Sequence, residues 1–120
     1  MATFTKTKLS GSTNGRGIAI SNTATAGNTI HATGTSSSVL DEIWLYAMNV
    51  HSASVLLTIE FGGTTTTSDL IQTTVTSQSG LTLIVPGLIL SGTGSAATTV
   101  AAFANTASKI EIFGFVNRIG

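Results

Sequence analysis

Val55 to Phe61 alternates strictly, with Val55, Leu57, Ile59 and Phe61 on one side and Leu56, Thr58 and Glu60 on the other. A period of two is the signature of a half-buried β-strand, and no helix places side chains that way. Just before it, Ile43 to Val50 is a run of β-branched, aromatic and aliphatic residues, separated from the second run by His51-Ser52-Ala53-Ser54. Two strands joined by so short a connection predict a central antiparallel hairpin. Val39 to Gly63 also holds the only Trp, the only Tyr and three of the five acidic residues. Its inward row is then Val55, Leu57, Ile59 and Phe61, matched by Ile43, Leu45 and Ala47. The opposite face, Trp44, Tyr46, Met48 and Leu56, is too apolar to leave in water and predicts an assembly surface.

The rest of the chain repeats short strand patterns between turn signals. Thr3 to Leu9 reads as an edge strand or extended arm, its Lys6 and Lys8 discouraging unwanted pairing. Asn14-Gly15 fits a primed hairpin turn leading into a strand over residues 16–21, with Ile18 and Ile20 on one face. Thr29 to Ala32 predicts a further strand, and so does Asp69 to Thr76. Leu81 to Val85 reads as a strand buried on both faces, broken by Pro86-Gly87 and resumed at Leu88 to Leu90. Ala96 to Ala107 is ambiguous, but Thr98-Thr99-Val100 and Phe103 favour a strand. Lys109 to Ile119 sets Ile110, Ile112 and Val116 against Phe113 and Phe115. Eight or nine strands spaced by roughly 8–14 residues predict an all-β fold, an antiparallel β-sandwich of jelly-roll or Greek-key type. Residues 1–12 form the arm or edge strand, and 13–120 a single sandwich domain.

Composition narrows the function classes. Charged residues make up 8% of the 120, and the formal net charge is zero. Nucleic acid or an anionic membrane would call for a clustered Lys/Arg excess, so neither is expected as a partner. Low net charge and a surface rich in Thr and Ser favour association, so a homo-oligomer is expected. Cysteine is absent, which removes disulfides and thiolate metal sites. The first residues lack an apolar signal region, and the longest apolar run, Leu81 to Leu90, is too short to span a bilayer. A soluble protein made in the cytoplasm is expected.

The chemistry-bearing residues form no strong motif. His31 and His51 lie on either side of Asp41-Glu42, but no metal-ligand spacing connects them. Adjacent strand residues point to opposite faces, so Asp41 and Glu42 cannot flank one glycosidic bond. Glu60 and Glu111 are expected to face outward as cross-strand partners of Thr or Lys. Gly92-Thr93-Gly94-Ser95-Ala96-Ala97 matches a dinucleotide fingerprint, but Thr98-Thr99-Val100 makes a poor first helical turn, and a loop is the expected structure. Lys6, Lys8 and Arg16 make a small basic cluster. No catalytic residue, metal or cofactor is expected, and the chain reads as a non-enzyme.

Several segments taken together resemble small virion proteins of tailed bacteriophages. They are Thr5-Lys6-Thr7-Lys8-Leu9-Ser10-Gly11-Ser12-Thr13-Asn14-Gly15-Arg16, Asp41-Glu42-Ile43-Trp44-Leu45-Tyr46-Ala47, Thr58-Ile59-Glu60-Phe61-Gly62-Gly63, Leu83-Ile84-Val85-Pro86-Gly87 and Gly114-Phe115-Val116-Asn117-Arg118-Ile119. Within that class the chain looks most like the capsid decoration, or cement, proteins. The resemblance implies a β-rich oligomer, often a trimer, that binds the major capsid protein on the outside of the head and holds it against internal DNA pressure. It implies a place on the virion surface after synthesis in the host cytoplasm. The candidate interface is then Phe4, Lys6 and Lys8 on the arm (Ala2 to Ser12) with Trp44, Tyr46 and Met48. The alternative is a tail- or fibre-associated adhesin, whose receptor pocket would draw on Trp44, Tyr46 and His51. A small hydrolase using His31 or His51 ranks third.

Overall fold

The computed structural model describes residues 3–120, and among these there is no helix. Nine strands run in the order β1 (Phe4–Lys8), β2 (Ile18–Ala19), β3 (Asn28–Ala32), β4 (Leu40–Asn49), β5 (Val55–Phe61), β6 (Leu70–Val75), β7 (Thr82–Ser91), β8 (Thr99–Ala104) and β9 (Ile110–Ile119). They form two antiparallel sheets. Sheet A has the order β1-β9-β4-β7, with β2 also paired to β9, and sheet B the order β3-β8-β5-β6. The pairing is nested: β1 and β2 with β9, β3 with β8, β4 with β7, and β5 with β6. A long hairpin wound on itself gives this order, the eight-strand jelly roll plus the short β2. Met1 and Ala2 of the expected arm lie outside the described residues. Phe4–Lys8 is hydrogen-bonded along β9, from Phe4 opposite Ile119 to Lys8 opposite Phe115.

The core lies between the sheets and is built from the inward rows that alternation defines. Sheet A supplies Ile43, Leu45, Ala47, Val85, Ile110, Ile112 and Val116. Sheet B supplies Ile30, Val55, Leu57, Ile59, Val75, Val100, Ala102 and Ala104, and all of these are fully buried. At about 25 cal/mol per Å² of apolar surface removed from water, each large aliphatic here contributes roughly 1.5–3 kcal/mol. Each row carries its β-branched or aliphatic side chains at every second position, which is why these segments are strands.

The expected central hairpin does not form. β4 pairs with β9 and β7, whereas β5 pairs with β6 and β8 in the other sheet. The connection over residues 50–54 is an arch across the sandwich. Buried Asn49 holds it in shape: its amide donates to the carbonyls of Ala53 (3.0 Å) and Val75 (2.9 Å), and its Oδ1 accepts from the His51 N–H (2.8 Å). Leu56 is consequently on the outer face of sheet B, away from Trp44. Asn14 and Gly15 do take the positive φ of a primed turn, 57° and 85°. They join β1 and β2 along the same side of β9 instead of closing a hairpin.

β7 also departs from expectation. Among the described residues its only neighbour is β4, so the apolar run is an edge strand, and Leu81, Leu83, Leu88 and Ile89 are exposed. Pro86 and Gly87 do not end it. An edge strand tolerates a residue without an N–H, and Gly87, with φ at 80°, absorbs one of two register shifts against β4. Residues 99–104 form a strand, so no helix follows the glycine-rich loop at 92–97.

Candidate interaction surface and the buried ionic network

Strand parity brings the sequence-derived interface residues together. On β4 the inward residues are Asp41, Ile43, Leu45, Ala47 and Asn49, which leaves Glu42, Trp44, Tyr46 and Met48 on the outer face of sheet A. Register places Trp44 opposite Phe115, Tyr46 opposite Phe113 and Met48 opposite Glu111. On the far side of β9, Lys8 stands opposite Phe115, Lys6 opposite Asn117, and Phe4, 74% exposed, opposite Ile119. All six candidates therefore lie on one surface, with Phe113 and Phe115 between the two groups. Alternation along the chain sets those phenylalanines on the face opposite Ile110, Ile112 and Val116 but does not place them beside Trp44.

The middle of this surface is ordered by specific contacts. The Trp44 and Phe115 rings stack with centroids 6.1 Å apart and planes within 9°. The Lys6 ammonium sits 4.9 Å from the Phe115 centroid, a cation–π contact. On its other side the indole lies over Gly87, where a Cβ would come within 2.8 Å of the ring. Phe113 rests likewise on Gly17, where a Cβ would meet it at 2.6 Å, beside an open 480 Å³ cleft lined by Thr13, Arg16, Gly17, Glu111 and Phe113. Glu42 Oε1 accepts from the Trp44 indole N–H (2.7 Å) and from the Asn117 amide (2.9 Å). These two donors hold the Glu42 carboxyl below its ordinary pKa. The face is thus a pre-ordered aromatic platform with one ammonium and one carboxylate at its centre. An apolar rim continues from it through Leu83 and Ile89 on β7.

Inside the sandwich, His31 and Asp41 meet across the two sheets. A bulge between Thr29 and His31 leaves both Ile30 and His31 buried on β3. His31 Nε2 lies 2.8 Å from Asp41 Oδ2, and Nδ1 accepts from the Ser10 N–H at 3.0 Å. With Nδ1 accepting, the proton sits on Nε2 and points at Asp41. Arg118, opposite Asp41 on β9, closes the network with bonds of 2.7 Å from Nε to Oδ1 and 2.9 Å from a terminal nitrogen to Oδ2. Burial works to raise the Asp41 pKa, but the hydrogen bonds from Arg118 and His31 and the Arg118 charge outweigh it, so the carboxyl stays below its ordinary value. Both imidazole nitrogens are engaged, which leaves His31 no free nitrogen for proton transfer to a substrate. The arrangement ties sheet to sheet, and through Ser10 it anchors the segment leaving β1. His51 lies in the arch, with no side-chain bond to Asp41 or Glu42 among the described residues.

Glu60 corrects another expectation. It does sit on the outer face of sheet B, yet it is 1% exposed, because the loop at 21–27 folds over it. Thr25 Oγ1 donates to its Oε2 and the Gly27 N–H to its Oε1, both at 2.8 Å. Gly27 is required there, since any side chain would strike the backbone of Ala102. Glu111 is half-buried on the outer face of sheet A, with no ion pair among the described residues.

Fold and surface together define an all-β jelly-roll sandwich with one aromatic outer face and a buried His31–Asp41–Arg118 network that joins its sheets. Comparison with protein families, with curated proteins and with solved structures finds no match to this chain.

Proposed function

We propose that this chain is a non-enzymatic structural protein of a tailed-bacteriophage virion, a decoration or cement protein that binds the outer surface of the head. The observation that carries the reading is the outer face of sheet A. There Phe4, Lys6, Lys8, Trp44, Tyr46 and Met48 converge around Phe113 and Phe115. Apolar surface of that kind, with a polar centre and few charges, suits burial against protein. Two partners would share it: identical subunits, with a trimer favoured, and the major capsid protein. The mechanism is interfacial, each copy bridging neighbouring shell subunits so that outward pressure has to break additional contacts. The virion resemblance and the neutral, cysteine-free composition support the assignment, and the closed hydrogen bonding of His31 favours a non-catalytic role. The test is sedimentation of the purified chain followed by binding to expanded phage heads. A concentration-independent oligomer that saturates the heads, and loses affinity on Trp44→Ala, is the expected result. A monodisperse monomer without affinity for heads would overturn it.

One observation favours a second reading, a tail- or fibre-associated adhesin. Trp44 is half-buried rather than sealed in the core, and its indole lies beside Glu42 and Asn117. An aromatic plane bordered by carboxylate and amide suits a sugar ring. Saturable quenching of the single tryptophan by a glycan would move the assignment there.

A further inference from the structure

The opposite face of the sandwich carries a separate feature. A 430 Å³ pocket opens over sheet B between the loop at 21–27, the end of β5 and the loop before β8. Its volume falls within the range of small-molecule sites, about 300–1,000 Å³. Thr29, Thr98, Thr99, Ala97 and Ala101 are among the residues that line it, and Glu60, 1% exposed, borders it beneath the loop at 21–27. The lining contains no Lys, Arg or His, and among the described residues no cationic group lies within ion-pairing distance of Glu60. Its carboxylate receives one neutral hydrogen bond at each oxygen, from Thr25 and Gly27, and each oxygen can accept another. A carboxylate taken out of water without a counter-charge is costly. Asp41, the other fully buried acid, has Arg118 against it. Glu60 has a cavity instead.

We propose that this pocket is a site for a primary ammonium group on a short alkyl stem, carried by a free alkylamine or by the lysine side chain of a protein. The ammonium would donate to the Glu60 oxygens and to threonine hydroxyls, while the stem lies against the methyl groups of Ala97, Ala101 and the threonines. The site is independent of the sheet A surface, so it stands or falls separately from the proposed virion role.

The test is titration of the isotopically labelled chain, followed through backbone amide resonances, with butylammonium, with 1-butanol as its uncharged counterpart, and with lysine blocked at both backbone ends. Butylammonium is expected to shift Gly27, Gly62, Thr98 and Thr99. Its affinity should fall by about tenfold or more in Glu60→Gln, as should that of 1-butanol for the unaltered chain, since a charge-assisted bond is lost in each case. The glutamine can still accept from Gly27 and donate to Thr25 Oγ1. Ala97→Leu, at the exposed rim, provides a second variant that fills the pocket and leaves Glu60 in place, and it should weaken binding equally. Binding of the blocked lysine as well identifies protein lysines as occupants, and binding of butylammonium alone identifies free amines. No shifts at the pocket with either amine, or equal affinity of butylammonium for Glu60→Gln, would overturn the proposal.

Discussion

Replacing Asp41 by Asn tests the buried network that joins the sheets. The substitution keeps size and shape but removes the charge that receives two bonds from Arg118 and one from His31. The Arg118 bonds are the less valuable, because that side chain is 36% exposed and screened by solvent. Asn keeps one acceptor oxygen, but its NH2 group then turns a donor toward either the buried His31 Nε2–H or the Arg118 Nε–H, and a donor left unsatisfied in this way costs about 1–3 kcal/mol. Breaking a buried pair from one side typically costs about 3–5 kcal/mol, and the exposure of Arg118 places this case near the lower end, about 3 kcal/mol. For a chain of this size each kcal/mol moves the midpoint by about 4 °C, so the melting temperature should fall by about 12 °C. Urea unfolding at fixed protein concentration measures the free energy directly, because self-association would shift the apparent value. Acid provides an independent check. The folded Asp41 carboxyl holds its charge to lower pH than in the unfolded chain, so on acidification the unfolded state takes up the proton first. The contribution is complete above the ordinary carboxylate range, near 3.9, and is lost as pH falls through the lower folded value. The wild type should therefore lose more stability than Asp41→Asn on going from neutral pH to below the folded value. A loss under about 1 kcal/mol, with parallel acid profiles, would show the network to be worth no more than a surface ion pair and refute the reasoning.

Three further substitutions follow from the packing. Gly87→Ala puts a Cβ at a positive φ and against the Trp44 ring, so stability should drop by about 2 kcal/mol. The emission of the single tryptophan should shift with it, and an unchanged spectrum would place the indole elsewhere. Gly27→Ala should lift the loop at 21–27 from sheet B, seen as faster hydrogen exchange of the Gly27 amide, at a cost of about 2–3 kcal/mol. Leu57→Ala, in the fully buried row of β5, should cost about 2–5 kcal/mol by denaturant unfolding and leave the outer face of sheet A unaltered.

How far the sequence speaks depends on whether a property is local. Alternation in β4, β5 and β9 sorts each strand into two faces, and the inward rows read for β4 and β5 pack in or against the core. The shared face of Trp44, Tyr46 and Met48 follows from the same rule, as does the opposition of Asp41 and Glu42. Partnership is different. His51-Ser52-Ala53-Ser54 is compatible with a hairpin or an arch, and nothing within Val39–Gly63 separates them; the choice is made by β9, which arrives some fifty residues later and pairs with β4 along its whole length. His31 and Asp41 are only ten residues apart, but they meet because β3 and β4 lie in different sheets, and Arg118 reaches them from distant β9. Glu60 has the parity expected of an outward residue and is buried all the same, because a loop from far upstream covers it. Hydropathy reads Leu81 to Val85 as buried on both faces, but the jelly-roll order puts it at an edge with Leu81 and Leu83 exposed.

The nested pairing carries a consequence for how the molecule comes to exist. β9 occupies an interior position in sheet A, yet the ribosome makes it after every other strand of the sandwich. Until it emerges, β1, β2 and the long side of β4 have no neighbour to bond with, and Asp41 waits without Arg118. Sheet A can therefore close only when synthesis has passed residue 119. Topologies so dependent on distant pairings fold in about milliseconds to seconds, slowly for their size. For that interval the unpaired flank of β4 and the apolar edge of β7 are open to a neighbouring nascent chain. A protein of this design benefits from being made where its copies are sparse until its last strand has slotted home.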